Sequence, residues 1–227
     1  MSSDIQPTSI KQGVALFVKP RLRGVSHQYA FFVSLACGAS LILAASAGTA
    51  RVVATIYAAA VSALLGTSAL YHRVTWQPAA RRWMRRLDHS MIFVLIAGTY
   101  TPVAVIALSG ALARTVLIVV WAGAAAGIVF KLAWIDAPKW LFAAVYVALG
   151  WVSVAVFGEL PGAIGWIGVA GIALGGLLYT VGAIIYATGR PNPWPAVFGY
   201  HEIFHALVIA AAALHYAVIA FLVLPRG

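Results

Sequence analysis

The chain has 227 residues, of which 63% are hydrophobic and only 9% charged, with a net charge of +10. Soluble domains carry about a quarter charged residues, so this composition excludes a water-soluble globule and indicates a membrane protein. The basic excess does not indicate nucleic-acid binding, because Lys and Arg fall in the breaks between apolar runs, where membrane topology accounts for them. The single cysteine, Cys37, excludes an internal disulfide and reads as a packing residue.

Residues 1–13 are polar and lack the apolar core of a signal peptide, so the first membrane segment is expected to insert uncleaved. The basic stretch Val14–Gly24 reads either as an amphipathic piece on the inner membrane surface or as a solvated linker. Seven apolar runs then follow, at 28–49, 52–72, 88–109, 113–133, 139–157, 163–187 and 199–224. Each is close to the ~20 residues a helix needs to cross a bilayer. Helices are the expected form, because lipid leaves free backbone groups unsatisfied. The breaks carry charge or turn signals: Arg51, the Arg73–Arg86 stretch, Ser109–Gly110, Asp136 with Pro138, Glu159–Gly162 and Arg190–Pro193. The break at Gly48–Arg51 has to be a tight turn, and Pro102 is expected to kink the third span. There is no internal repeat or linker, so the expectation is one all-α, seven-helix membrane domain over 1–227, with 1–27 as a short cytoplasmic segment.

Seven spans place the N-terminus and the second, fourth and sixth loops on one side. That side holds 12 of the Lys and Arg residues and the other holds 3, which accounts for all 15. The positive-inside rule makes the richer side cytoplasmic. The expected placement is a multi-pass protein of the plasma (inner) membrane, with the C-terminus outside.

Ionisable residues in a span are costly and call for a functional reading. The second span ends in "TSALYHR", the third begins "LDHSMIF" and the seventh begins "YHEIFHAL". Ser68, His72, Asp88, His201, Glu202 and His205 therefore meet at one depth on the basic side. His201 and His205 are i and i+4, with Cβ atoms about 6 Å apart on one helix face. Ser68 and His72 share that spacing. His72, His201 and His205 offer three imidazoles and leave a position open for water, the pattern of catalytic zinc. Zinc suits imidazole; iron, nickel and copper stay open. Asp88 either binds the metal or takes a proton from water, and Ser68 either orients the reacting groups or fills a helix interface.

His89 points about 100° away from Asp88 and reads as a supporting or packing residue. His215, about 15 Å beyond His205 along the helix, reads as a buried hydrogen-bonding residue. His27, among basic residues at the surface, reads as structural. "HEIFH" also matches the zinc-protease pattern H-E-x-x-H, with Glu202 as base. No Asp or Glu follows Glu202, so any further ligand comes from earlier helices. Glu202 is expected instead to pair with Arg190 or a lipid headgroup.

"SALYHR" (Ser68–Arg73), "LDHSMIFVLIAGTYTP" (Leu87–Pro102) and "FGYHEIFHALV" (Phe198–Val208), in this order on three spans, resemble the hemolysin III family, the bacterial branch of the progestin and adipoQ receptors. The resemblance implies seven helices with a cytoplasmic N-terminus. Its receptor relatives imply zinc on His72, His201 and His205, with Asp88 and Ser68 matching the motif positions. A wider superfamily with the alkaline ceramidases implies hydrolysis of a lipid amide. Three functions stay open: a zinc-dependent hydrolase of lipid amides or esters, a receptor-like sensor with a structural metal, and a cytolytic pore or channel. A pore calls for polar residues along whole spans, whereas here they gather at one end. Membrane lipid is the expected partner and nucleic acid is not.

Overall fold

The structure, a computed structural model, describes residues 19–227. Residues 1–13 and the first five residues of the Val14–Gly24 stretch therefore lie outside the described residues. Seven helices are each long and apolar enough to cross a membrane. They are built on α1 (Val25–Ala44), α2 (Thr49–Arg73), α3 (Pro78–Pro102), α4 (Gly110–Ala133), α5 (Lys139–Gly150), α6 (Leu160–Thr188) and α7 (Tyr200–Val218). Three spans are extended by irregular turns: π-helical Val103–Ala107 after α3, 3₁₀ Trp151–Val156 after α5, and π-helical Ile219–Val223 after α7.

Each helix packs on its neighbour in sequence, and α7 returns to α1 and closes the ring. Tyr216 of α7 donates to the Cys37 carbonyl of α1 at 3.0 Å, and Tyr57 of α2 donates to the Ala212 carbonyl at 3.4 Å. Lipid is as apolar as leucine, so close helix approach rests on small residues and packing rather than on water exclusion. At the α2–α3 crossing a Cβ on Gly98 would come 2.5 Å from Ala60 Cβ. At the α3–α4 crossing Gly127 makes room for the fully buried Phe93 ring. Among the described residues the largest core cluster runs through the ring on such contacts, from Leu41 and Tyr57 to Val223.

The spans match the apolar runs, and several ends move. The first helix stops at Ala44, five residues before the apolar run does, because the chain turns over Ala45–Gly48, with Gly48 at φ 88°. Arg51 is helical and closes the turn by donating to the Ala45 carbonyl at 3.2 Å. The third helix starts ten residues before its apolar run. Pro78 opens it, where a missing N–H costs nothing. Arg81, Arg82, Arg85 and Arg86 lie on its first turns rather than in a loop. Asp88 consequently sits ten residues, about 15 Å, inside α3. Pro102 ends regular α-helix and hands the chain to a π turn.

Candidate metal centre

The end of α2, Asp88 from inside α3 and the start of α7 come together, and the start of α1 joins them. Ser68 and His72 are buried near the end of α2. His201 and His205 stand on one face of the first two turns of α7, with His205 only 2% exposed. The Nε2 atoms of His72 and His201 face each other at 3.2 Å. The nearest ligand atoms of His72, His201 and His205 all lie within 4.8 Å of one another. Zinc–nitrogen bonds of 2.0–2.1 Å in a tetrahedron set an edge of about 3.3 Å, so the His72–His201 pair has the separation two zinc ligands need. The donor set is three imidazoles, which fits a borderline-soft divalent ion.

Asp88 Oδ2 is 3.9 Å from His72 Nε2, beside the triad rather than among its close group of ligand atoms. Ser68 and Asp88 line the same cavity. His89 stands apart. Its Nδ1–H donates to the Arg85 carbonyl at 2.6 Å, and its Nε2 accepts from the Tyr186 hydroxyl at 3.1 Å, so both nitrogens are committed to the protein. His215 Nε2 donates to the Ile172 carbonyl at 3.1 Å, which makes it the buried hydrogen-bonding residue its depth predicted.

Glu202 is corrected. Its partner is Arg23, not Arg190 or a headgroup. One carboxylate oxygen takes the Arg23 guanidinium and the other accepts the Gly199 N–H at 2.9 Å, capping the start of α7. Being one residue from His201, Glu202 points about 100° around the helix, and it does not line the cavity. Arg23 belongs to a short strap before α1. Arg21 and Leu22 of that strap donate to the carbonyls of Ala196 and Val197 in the α6–α7 loop at 3.0 and 3.2 Å. Gly24 closes it in the left-handed region, φ 77°, against the His72 side chain.

His27 is the residue that sequence reasoning underrated. It is 3% exposed, and its ring stacks on that of His205 at 3.8 Å between centroids and 8° between planes. Its side was legible, because His27 starts a span on the same side as the six polar residues of α2, α3 and α7; its stacking partner was not. Its basic neighbours hid it.

A cavity leads from this cluster into the bundle. His27, Ser68, Asp88, His201 and His205 form one end; Val103, Leu108, Val116 and Leu160 line the other. It follows α3 from Asp88 to Val103, 15 residues or about 22 Å.

Seven apolar helices and a cavity that opens beside a histidine triad define a multi-pass membrane protein with a candidate metal centre. Residues 16–216 match the family model described as Haemolysin-III related. The chain belongs to that family. It is 32% identical to Hemolysin-3 of Bacillus cereus over 215 residues, covering 93% of this chain and 95% of that one. It is 33% identical to the Hemolysin-3 homolog of Bacillus subtilis (strain 168) over 183 residues, 80% and 83% of the two chains. Human monocyte to macrophage differentiation factor is 26% identical over 170 residues, 73% of this chain and 68% of that one.

Proposed function

We propose that the protein is a zinc-dependent hydrolase of amide or ester bonds in membrane lipids, with its site on the cytoplasmic side of the plasma (inner) membrane. One observation carries this reading: His201 and His205 of the triad, with Asp88 and Ser68, line the polar end of a long apolar cavity, and His72 stands directly behind them. A length of about 22 Å suits an acyl chain of some sixteen carbons, with its carbonyl at the histidine end. The positive-inside count supports the side.

His72, His201 and His205 would hold the ion. A zinc ion on three imidazoles supplies a Lewis acid for a carbonyl and lowers the pKa of a bound water to about 7. Asp88 accepts the proton of the attacking water and passes it to the leaving amine or alcohol. The Ser68 hydroxyl donates to the substrate carbonyl or holds the water. His27 fixes the plane of the His205 ring by stacking on it, and the apolar walls exclude bulk water.

The test is turnover of a fluorogenic N-acyl lipid amide by purified protein, before and after chelation and after zinc is restored. Turnover that chelation removes and zinc restores supports the hydrolase. A metal-loaded, folded protein inert toward both amide and ester lipids would overturn it. A receptor-like sensor is the second reading, favoured because the triad bridges α2 and α7, where a metal would act as a staple.

A further inference from the structure

We infer that the cavity contains a second polar station, built from Tyr179 and His215, that recognises a hydroxyl group in the middle of a lipid chain. The inference rests on the reading that the cavity holds lipid, and it concerns which lipid.

The polar groups lining the cavity beyond its histidine end fall into two sets. Thr99, Tyr100, Trp151, Ser153 and Thr180 are committed to the protein. Thr99 donates to the Leu95 carbonyl at 2.8 Å, Tyr100 to the Gly150 carbonyl at 2.5 Å, and Trp151 to Thr180 at 2.9 Å. The Ser153 N–H donates to the Tyr100 hydroxyl at 2.6 Å, and Thr180 in turn donates to the Gly176 carbonyl at 2.8 Å. The Tyr179 hydroxyl and His215 Nδ1 are different. Both are buried, both residues line the cavity, and neither atom has a hydrogen-bond partner among the described residues.

A buried polar group without a partner is costly, so such groups mark places where something else binds. The two rings lie 5.6 Å apart between centroids. The bond from His215 Nε2–H to the Ile172 carbonyl fixes the tautomer, which leaves Nδ1 as an acceptor. The Tyr179 hydroxyl is free to donate. A donor and an acceptor on neighbouring rings suit a group that does both at one oxygen, a hydroxyl or a water; a carbonyl cannot donate to Nδ1, and a methylene offers neither. The site is built rather than incidental, because Gly175 of α6 leaves no room for a Cβ beneath the His215 ring. From His205 to His215 is ten residues of α7, about 15 Å, the length of roughly a dozen methylenes. A lipid with its carbonyl at the triad would thus present its twelfth or so carbon to the station.

The probes are octadecanoic acid and its 2-hydroxy and 12-hydroxy derivatives, titrated calorimetrically into the purified full chain in detergent. Two neutral hydrogen bonds predict that the 12-hydroxy acid binds about tenfold tighter than the other two. Tyr179→Phe brings that ratio close to one. Equal binding of all three acids to the wild type overturns the station and leaves the lipid reading intact, as does a preference that survives Tyr179→Phe. Absence of binding by any acid overturns the lipid reading and the station together. The wild-type series needs no variant to fold.

Discussion

Asp88→Ala separates the roles the site can hold. Asp88 Oδ2 stands 3.9 Å from His72 Nε2, outside the close triad, so the substitution leaves all three imidazoles in place. Metal content should stay near one ion per chain. Removing a carboxylate beside a metal ligand weakens affinity by about 10–100-fold, which excess zinc overcomes. Turnover should fall much further, by about 10²–10⁴, the usual worth of a positioned general base. The assay is elemental analysis of protein purified with added zinc, paired with initial rates on the fluorogenic lipid amide. Asp88→Asn should behave like Asp88→Ala, because it keeps the shape and loses the basicity. Loss of metal from Asp88→Ala as complete as from His72→Ala would make Asp88 a ligand. Unchanged turnover at full metal loading would refute its proton-accepting role.

Two further perturbations probe the support around the triad. Gly24→Ala forces a side chain into the left-handed region, at about 1–2 kcal/mol, and sets its Cβ 2.5 Å from His72 Cβ. His72 must shift, so zinc affinity measured against a competing chelator should drop by about tenfold or more; wild-type affinity would contradict the contact. Glu202→Ala strands Arg23 and uncaps α7, which should cost about 3 kcal/mol and lower the melting temperature in detergent by roughly 6–12 °C. Glu202→Gln should keep most of the turnover, and a loss as deep as that of Asp88→Ala would restore Glu202 as a base.

The seven spans were legible because a bilayer asks each helix for a long apolar run, and α4, α5 and α6 show one with little interruption. The ends were less legible. Hydropathy marks where lipid begins, not where a helix begins, so the basic first turns of α3 were read as a loop although Pro78 announces a helix start. The triad was legible because i, i+4 spacing on α7 and a common depth with α2 and α3 are properties of the sequence. Three features were not: His27 against His205, Arg23 on Glu202, and the Tyr179–His215 pair. Each joins residues far apart in sequence through the rotation of helices about their own axes, which packing decides. The strap that carries Arg23 follows from backbone bonds to the α6–α7 loop, and no periodicity encodes those.

The central claim is that His72, His201 and His205 hold one metal ion, and the most direct measurement is the zinc content of the purified protein beside three single histidine-to-alanine variants. The wild type should carry close to one zinc per chain, and each variant should lose most of it while remaining folded. A wild type that binds no zinc under saturating conditions, or variants that bind as much as the wild type, would contradict the account.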